Sequence, residues 1–216
     1  SKDFEDIDYI YISHIHPDHC SVKTLEQLDR KIPILIHNFH FKYLKDQIQR
    51  LGFSVIELNH NERIHLKNNL HIRILAADNC NPEICKKYFG CGLAEQTFGS
   101  TSIDSMCVID NNDEVIVNTN DCPFELGETS ASIIKKEYGE IDFLLLGYSS
   151  ATAYPQCFEL NSKELTKSQN EIILSFLSRG ESYVNLFSSK YFMPFAGRYV
   201  LSGKNHALTW KKATPE

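Results

Sequence analysis

Three imidazoles and one carboxylate crowd into six consecutive residues near the start of the chain, within Ser13-His14-Ile15-His16-Pro17-Asp18-His19-Cys20. These side chains are ligands for zinc, iron or manganese. Because His14 and His16 are two residues apart, an extended chain projects both to the same side, where they can reach one metal ion. Asp18 and His19 lie beyond the proline, where the chain can fold back and offer a second ligand pair. The pattern predicts an open catalytic metal site rather than a closed structural one.

A buried strand is expected to position this motif. The preceding residues 7–12 are mostly β-branched and aromatic, which is typical of a strand. The proline ends that strand, so the histidines are expected on a loop at its carboxyl end. Ser21 can cap a helix, since apolar residues recur at helical spacing after it. The sequence therefore predicts a strand, a metal-binding loop and a helix, in that order.

The rest of the chain predicts a mixed α/β fold. Strands are expected at residues 33–37 and 53–58, on either side of a helix at 40–51. Two antiparallel hairpins are expected, one at 60–77 around Lys67-Asn68-Asn69 and one at 105–121 around an Asn-Asn-Asp turn. The remaining predicted elements are a long loop at 78–100, helices at 128–138, 163–179 and 181–189, a fully buried strand within 141–148, and a last strand within 191–200.

Composition narrows the classes of partner. With 216 residues and 42% hydrophobic side chains, the chain is expected to form a single globular domain over residues 1–216. The formal net charge of −6 and the scattered Lys and Arg argue against nucleic acid or an anionic membrane as a partner. No apolar run is long enough to span a bilayer, and the seven cysteines lack the spacing of a disulfide scaffold. We expect a cytoplasmic protein that binds a small-molecule substrate.

The spacing His14-x-His16-x-Asp18-His19 resembles the signature of metallo-β-lactamase-fold proteins. The resemblance implies a four-layer αββα sandwich with metals at one edge between two sheets, and the predicted order of elements is compatible with it. Asp121, at the end of the second hairpin, resembles the metal-bridging carboxylate of the family. Because the motif follows only 13 residues, some N-terminal strands of the fold could lie outside this sequence.

A narrower resemblance covers residues 118–122, 141–158 and 193–197. These segments look like the metallo-β-lactamase-like domain of CMP-N-acetylneuraminate hydroxylase and its bacterial relatives. In that hydroxylase a Rieske iron–sulfur domain carries the redox chemistry, but this sequence has no CxH followed by CxxH for such a cluster. The resemblance implies an alternative function, a non-hydrolytic domain that binds a sugar or nucleotide-sugar for a redox partner or an additional domain.

The histidine pattern departs from that of the family's hydrolases, which usually supply one more histidine before the bridging aspartate and another near the last strand. No histidine lies between His71 and Asp121, and Pro194-Phe195-Ala196-Gly197 stands where the last one is expected. The candidate replacements are the carboxylates Asp78, Glu83 and Asp104, of which the last is favoured because it begins a strand. A carboxylate-rich site would shift the metal preference toward iron or manganese.

The leading prediction is a hydrolase that cleaves a small anionic ester, lactone or phosphodiester with a metal-activated water. One or two divalent ions are expected, zinc first and iron or manganese as alternatives, held by His14, His16, Asp18, His19, Asp121 and Asp104. Asp18 would also orient or deprotonate the nucleophile. Substrate contacts are predicted for Tyr148, Ser149, Tyr154 and Arg198, with loop packing or, for the arginine, a surface salt bridge as the alternative. A di-iron oxygenase on the same fold is the third hypothesis.

Overall fold

The structure is a computed structural model that describes residues 6–76, 104–149, 153–197 and 199–214. Its elements are β1 Ile10–Tyr11, α1 Val22–Leu25, β2 Ile34–His37, α2 Tyr43–Arg50, β3 Val55–Leu58, β4 Arg63–Lys67, β5 Leu70–Ala76, β6 Ser105–Asp110, β7 Val115–Asn118, α3 Phe124–Tyr138, β8 Phe143–Gly147, α4 Ser162–Phe187, β9 Tyr191–Phe195 and a 3₁₀ helix, Gly203–Lys211. Asp78, Glu83, Arg198 and the loop predicted at 78–100 lie outside the described residues.

The strands form two sheets. The first contains β1, β2 and β3, all parallel, and the second contains six strands in the order β4 to β9. Both predicted hairpins are confirmed, since Ile64 lies opposite Ile72 and Val108 opposite Val117 in antiparallel pairs. From β7 to β9 the second sheet is parallel. Across the described ranges, no helix combines the length and apolar composition needed to cross a bilayer, and the cytoplasmic location stays a prediction.

Three apolar cores separate four layers, which confirms the αββα sandwich. In β2, alternate residues face opposite sides, so that Ile34 and Ile36 pack toward α2 while Leu35 packs toward the second sheet. The core between the two sheets is formed by Leu35, Leu58, Ile72, Ile74 and Cys107. On the far side of the second sheet, its strands pack against α3 and α4 through Val117, Leu144, Leu146, Ala131, Ile134 and Phe187. Both sheets are therefore held in place from both faces where they overlap.

Helix α4 differs from the sequence prediction. Two helices were expected, with a gap at Gly180, but one helix continues through that glycine. A glycine inside a helix costs only about 1 kcal/mol relative to alanine, and packing offsets it, because a Cβ here would lie 3.3 Å from Leu146 Cδ1. A capping box at Asn161 and Glu164 begins the helix. Tertiary packing therefore outweighs the local signal for a break.

Three further strand and helix predictions need correction. The strand before the histidine motif is shorter than residues 7–12, and α3 begins four residues ahead of the predicted start at 128. The strand β8 is not fully buried: Leu144 and Leu146 face the helices, whereas Phe143 and Leu145 are half-buried on the other face. Three consecutive leucines concealed this alternation in the sequence.

A buried carboxylate stabilises the end of β6. Asp110 Oδ2 accepts hydrogen bonds from Arg63 Nε at 3.1 Å and from the Tyr138 hydroxyl at 3.0 Å. Burial raises the pKa of Asp110, but the hydrogen bonds from Arg63, Tyr138 and the backbone of Asn112 outweigh burial and lower it below its usual value. The ionised form is therefore favoured in the folded state.

Replacing Asp110 with asparagine should lower the free energy of unfolding by about 2 kcal/mol at neutral pH. Because the folded-state pKa is depressed, the contribution of Asp110 is present above the unfolded pKa of about 3.9 and is lost as the pH falls through the folded value. Urea titrations of both proteins between neutral and strongly acid pH measure this difference, which should shrink in acid. Asp113→Asn, in the exposed turn nearby, is the matched control, and a pH-independent difference would contradict the prediction.

Candidate metal centre

One edge of the sandwich collects the candidate ligands. The histidine motif follows β1 of the first sheet, and Asp121 follows β7 of the second. Asp104 reaches the same edge from the opposite direction, because β6 runs antiparallel to β7 and begins there. The hydroxyl of Ser105 donates to the carbonyl oxygen of Ser13 at 2.9 Å, which joins the two sheets at this edge. The topology thus brings together side chains that are far apart in sequence.

Five of the six predicted ligands form two groups. The candidate ligand atoms of His14, His16 and Asp121 lie within 4.8 Å of one another, and those of Asp18, His19 and Asp121 meet the same limit. His14 Nε2 is 2.9 Å from His16 Nδ1 and 3.9 Å from Asp121 Oδ2. His19 Nε2 is 3.3 Å from the same oxygen of Asp121. Asp121 therefore belongs to both groups, which is the position that a bridging carboxylate needs.

Asp121 and His19 shift each other's pKa in opposite directions. Burial raises the pKa of Asp121, but the imidazoles of His19, His14 and His16 outweigh burial and lower it. Burial lowers the pKa of His19, yet the Asp121 carboxylate outweighs this effect and raises it. The carboxylate thus stays ionised at neutral pH, as a metal ligand must, and a cation bound here would compete with the His19 proton for it.

The donor set fits a first-row transition metal. Nitrogen and oxygen ligands without a thiolate suit zinc, iron or manganese, and two histidines with one carboxylate are typical of open non-haem iron sites. The site opens on the side of Asp18, whose side chain is 74% exposed, whereas that of His14 is 1% exposed. The residues are therefore arranged so that a metal held between them would remain accessible to a small molecule.

Asp104 reaches the centre through His14 instead of joining either group. Its side chain is buried, and its Oδ1 lies 3.2 Å from His14 Nδ1. The other ring nitrogen of His14, Nε2, is the one that faces His16 and Asp121. Asp104 Oδ1 also accepts a hydrogen bond from the backbone N–H of Ser105 at 2.7 Å. The structure thus places Asp104 beside His14 and outside the two ligand groups, and a direct ligand role for Asp104 stays a prediction.

Several polar residues near the centre were not predicted. Ser13 Oγ is 2.9 Å from His14 Nδ1 and 3.1 Å from His19 Nδ1. Asn120 Nδ2 donates to the Tyr11 hydroxyl at 3.1 Å and to the Ser105 carbonyl at 2.6 Å. The backbone of Asn120 has a φ of 49°, a left-handed conformation that asparagine tolerates. The sequence could have indicated Ser13, because it stands between an apolar strand and the histidines. The contacts of Asn120 with Tyr11 and Ser105 depend on pairing between distant segments, which the sequence does not show.

The predicted substrate contacts fall into different environments. Tyr148 and Ser149 directly follow β8 at the edge of the candidate centre. A Cβ at Gly197 would lie 1.7 Å from the Tyr148 hydroxyl, so the absence of a side chain lets the tyrosine lie against the turn after β9. The Tyr154 hydroxyl lies 2.5 Å from Ser168 Oγ on α4, which favours the loop-packing alternative for this residue. A substrate role for Tyr148 and Ser149 stays a prediction.

The αββα sandwich, with the candidate metal centre at one edge between its two sheets, is the metallo-β-lactamase fold. Among solved structures, a variant of CmlA β-hydroxylase matches with a TM-score of 0.60 and 16% identity over 89% of this chain and 37% of that one. The CmlA protein of Streptomyces venezuelae, described as a diiron β-hydroxylase, matches with a TM-score of 0.54, 15% identity and coverage of 89% and 36%. An isothiocyanate hydrolase from Delia radicum gut bacteria matches with a TM-score of 0.53, 15% identity and coverage of 90% and 76%.

No family model matches the sequence. A protein of Mycobacterium tuberculosis named as a Rieske 2Fe-2S iron-sulfur protein is 24% identical over 196 residues, which cover 88% of this chain and 34% of that protein. The chain spans about a third of the length of the curated relatives it matches. Among the solved structures, the fold is shared with an isothiocyanate hydrolase and with a diiron β-hydroxylase.

Proposed function

We propose that this protein is a metal-dependent hydrolase of a small anionic substrate, with its reaction centre at the two groups that share Asp121. The shared carboxylate carries the proposal, because it allows two ions to be held side by side by His14 and His16 on one side and Asp18 and His19 on the other. A pair of ions supplies a nucleophilic water at neutral pH and neutralises the developing charge on an ester, lactone or phosphodiester.

Different side chains would fix the ligand geometry, accept a proton and contact the substrate. His14 is buried and hydrogen-bonded, so it holds a fixed position, whereas Asp18 lies on the exposed side of the centre. An exposed carboxylate next to the attacking water can accept its proton and release it to solvent. Tyr148 and Ser149, at the same edge, are the proposed contacts for the substrate. The similarity to an isothiocyanate hydrolase supports hydrolysis only at the level of a shared fold.

Oxidation at a di-iron site is a second candidate. Two carboxylates accompany the three histidines of the centre, and a carboxylate-rich set favours iron or manganese over zinc. The similarity to relatives named as Rieske proteins, and the fold shared with the diiron CmlA, also support the oxidative candidate. In this alternative, the domain would bind its substrate, such as a sugar or nucleotide-sugar, and receive electrons from a redox partner.

Metal content and turnover test the two candidates. Protein purified without chelators should contain at least one transition-metal ion per chain by elemental analysis. Under the hydrolase proposal, zinc- or manganese-loaded protein should cleave at least one of p-nitrophenyl acetate, bis(p-nitrophenyl) phosphate and a simple lactone, and His16→Ala should not. Iron with visible absorption, and no cleavage of any of the three, would favour the oxidative candidate instead. A chain that neither contains nor binds a transition metal would overturn both.

A further inference from the structure

Asp104 is a buried carboxylate with an unusual placement. Its side chain is 1% exposed, and among the described residues its ion-pair partner is His14, which is equally buried. Burial raises the pKa of Asp104, and the contact with His14 only partly offsets this rise. Cys122 lies beside the same carboxylate, but burial raises the pKa of its thiol well above the usual value, so it stays uncharged. His14 is thus the candidate metal ligand that lies against the Asp104 carboxylate, at 3.2 Å.

Two oxygen atoms approach His14 Nδ1: Ser13 Oγ at 2.9 Å and Asp104 Oδ1 at 3.2 Å. The serine hydroxyl can donate or accept, whereas an ionised carboxylate can only accept, so this pair of oxygens favours a hydrogen on His14 Nδ1. A neutral imidazole with its hydrogen on Nδ1 has its lone pair on Nε2. That nitrogen is the one that lies 2.9 Å from His16 Nδ1 and faces Asp121. The lone pair therefore points into the first ligand group.

We infer that Asp104 is a positioning residue that fixes the tautomer and ring orientation of His14, and that it is not itself a metal ligand. The inference rests on the proposed metal centre for its consequence, a higher affinity of the first ligand group. Carboxylates that accept the second N–H of a ligating histidine typically change metal affinity by about 10- to 100-fold when they are removed. A direct ligand would instead change the number of ions bound.

The tautomer can be measured without metal. Long-range ¹H–¹⁵N spectra of the metal-free wild-type protein, at about pH 8 where an ordinary imidazole is neutral, should show His14 with its hydrogen on Nδ1. A hydrogen on Nε2 in this spectrum would overturn the inference, whether or not the protein binds metal. This measurement needs no variant, so it does not depend on how well Asp104 substitutions fold.

Metal titration of Asp104→Asn tests the consequence. We expect its affinity for Mn²⁺ or Zn²⁺ to fall by about 10- to 100-fold, with the same number of ions bound at saturation as in the wild type. Asp113→Asn, the same substitution at an exposed carboxylate in the turn between β6 and β7, is the matched control and should bind metal as the wild type does. A loss of one bound ion at saturation in Asp104→Asn, or an unchanged affinity, would overturn the inference. A wild-type protein that binds no metal would refute the proposed function, while the tautomer measurement still decides the role of Asp104.

Discussion

Asp121→Asn should remove metal from both ligand groups, whereas substitutions in either group alone should affect only one. The reason is geometric, since Asp121 is the residue shared by the group of His14 and His16 and by that of Asp18 and His19. An amide oxygen is neutral and a weaker ligand than a carboxylate for a divalent cation. His16→Ala should therefore lower the number of ions bound by the first group, and Asp18→Asn the number bound by the second. Asp121→Asn should lower the number bound by both groups.

Calorimetric titration with Mn²⁺ or Zn²⁺, followed by elemental analysis after dialysis, measures these stoichiometries. Asp113→Asn, an exposed carboxylate in the turn between β6 and β7, is the control and should bind as the wild type does. If His16→Ala and Asp18→Asn each left the number of bound ions unchanged, the two groups would not be metal sites. If Asp121→Asn lost only one ion of two, the shared carboxylate would not bridge them.

Gly147→Ala should weaken metal binding from outside the ligand set. Gly147 ends β8 beside the loop that carries Asp121, and a Cβ there would lie 2.8 Å from the Asn120 carbonyl oxygen and 3.7 Å from Asp121 Oδ1. Since the first contact is with backbone, the methyl group can be accommodated only if the Asn120–Asp121 loop moves. We expect the unfolding free energy to fall by about 1–3 kcal/mol and metal affinity to fall by about tenfold or more, because ligand geometry tolerates little displacement.

Gly180→Ala provides the comparison for this variant. It adds the same methyl group on α4, where the nearest atom is the flexible end of Leu146 at 3.3 Å. It should leave metal affinity unchanged, and its effect on stability should be small because better helix propensity offsets the tighter packing. Equal metal affinities for Gly147→Ala and Gly180→Ala would show that the Asn120–Asp121 loop is not constrained by β8.

Local sequence patterns were sufficient for most of the individual strands and helices. The alternation in the two hairpins and the apolar strand before the histidines identified the main elements, and two residues of spacing placed His14 and His16 on one side. Asp121 was predicted from its resemblance to the metal-bridging carboxylate of metallo-β-lactamase-fold proteins, and the four-layer arrangement was implied by the same resemblance. The hairpins, the strand and the histidine spacing depend on neighbours within a few residues, where periodicity and turn chemistry decide the structure.

The relation between Asp104 and His14 could not be predicted in the same way. Its strand begins at the site edge, as the sequence suggested, but the side of the imidazole that it approaches depends on how two sheets stack. The Asn120 contacts to Tyr11 and Ser105 and the unbroken helix through Gly180 have the same origin. Each is decided by packing between segments far apart in the chain, which outweighs local propensity.

The ligands of the candidate centre come from two different layers of the sandwich. His16 belongs to the loop after β1 in the first sheet, and Asp121 to the loop after β7 in the second. An ion held by both would be a crosslink between the sheets, and separating the layers would require its release. At a free metal concentration a thousandfold above the dissociation constant, such a crosslink adds about 4 kcal/mol to the folded state. The stability of this domain would then depend on the free metal concentration around it as well as on its apolar cores.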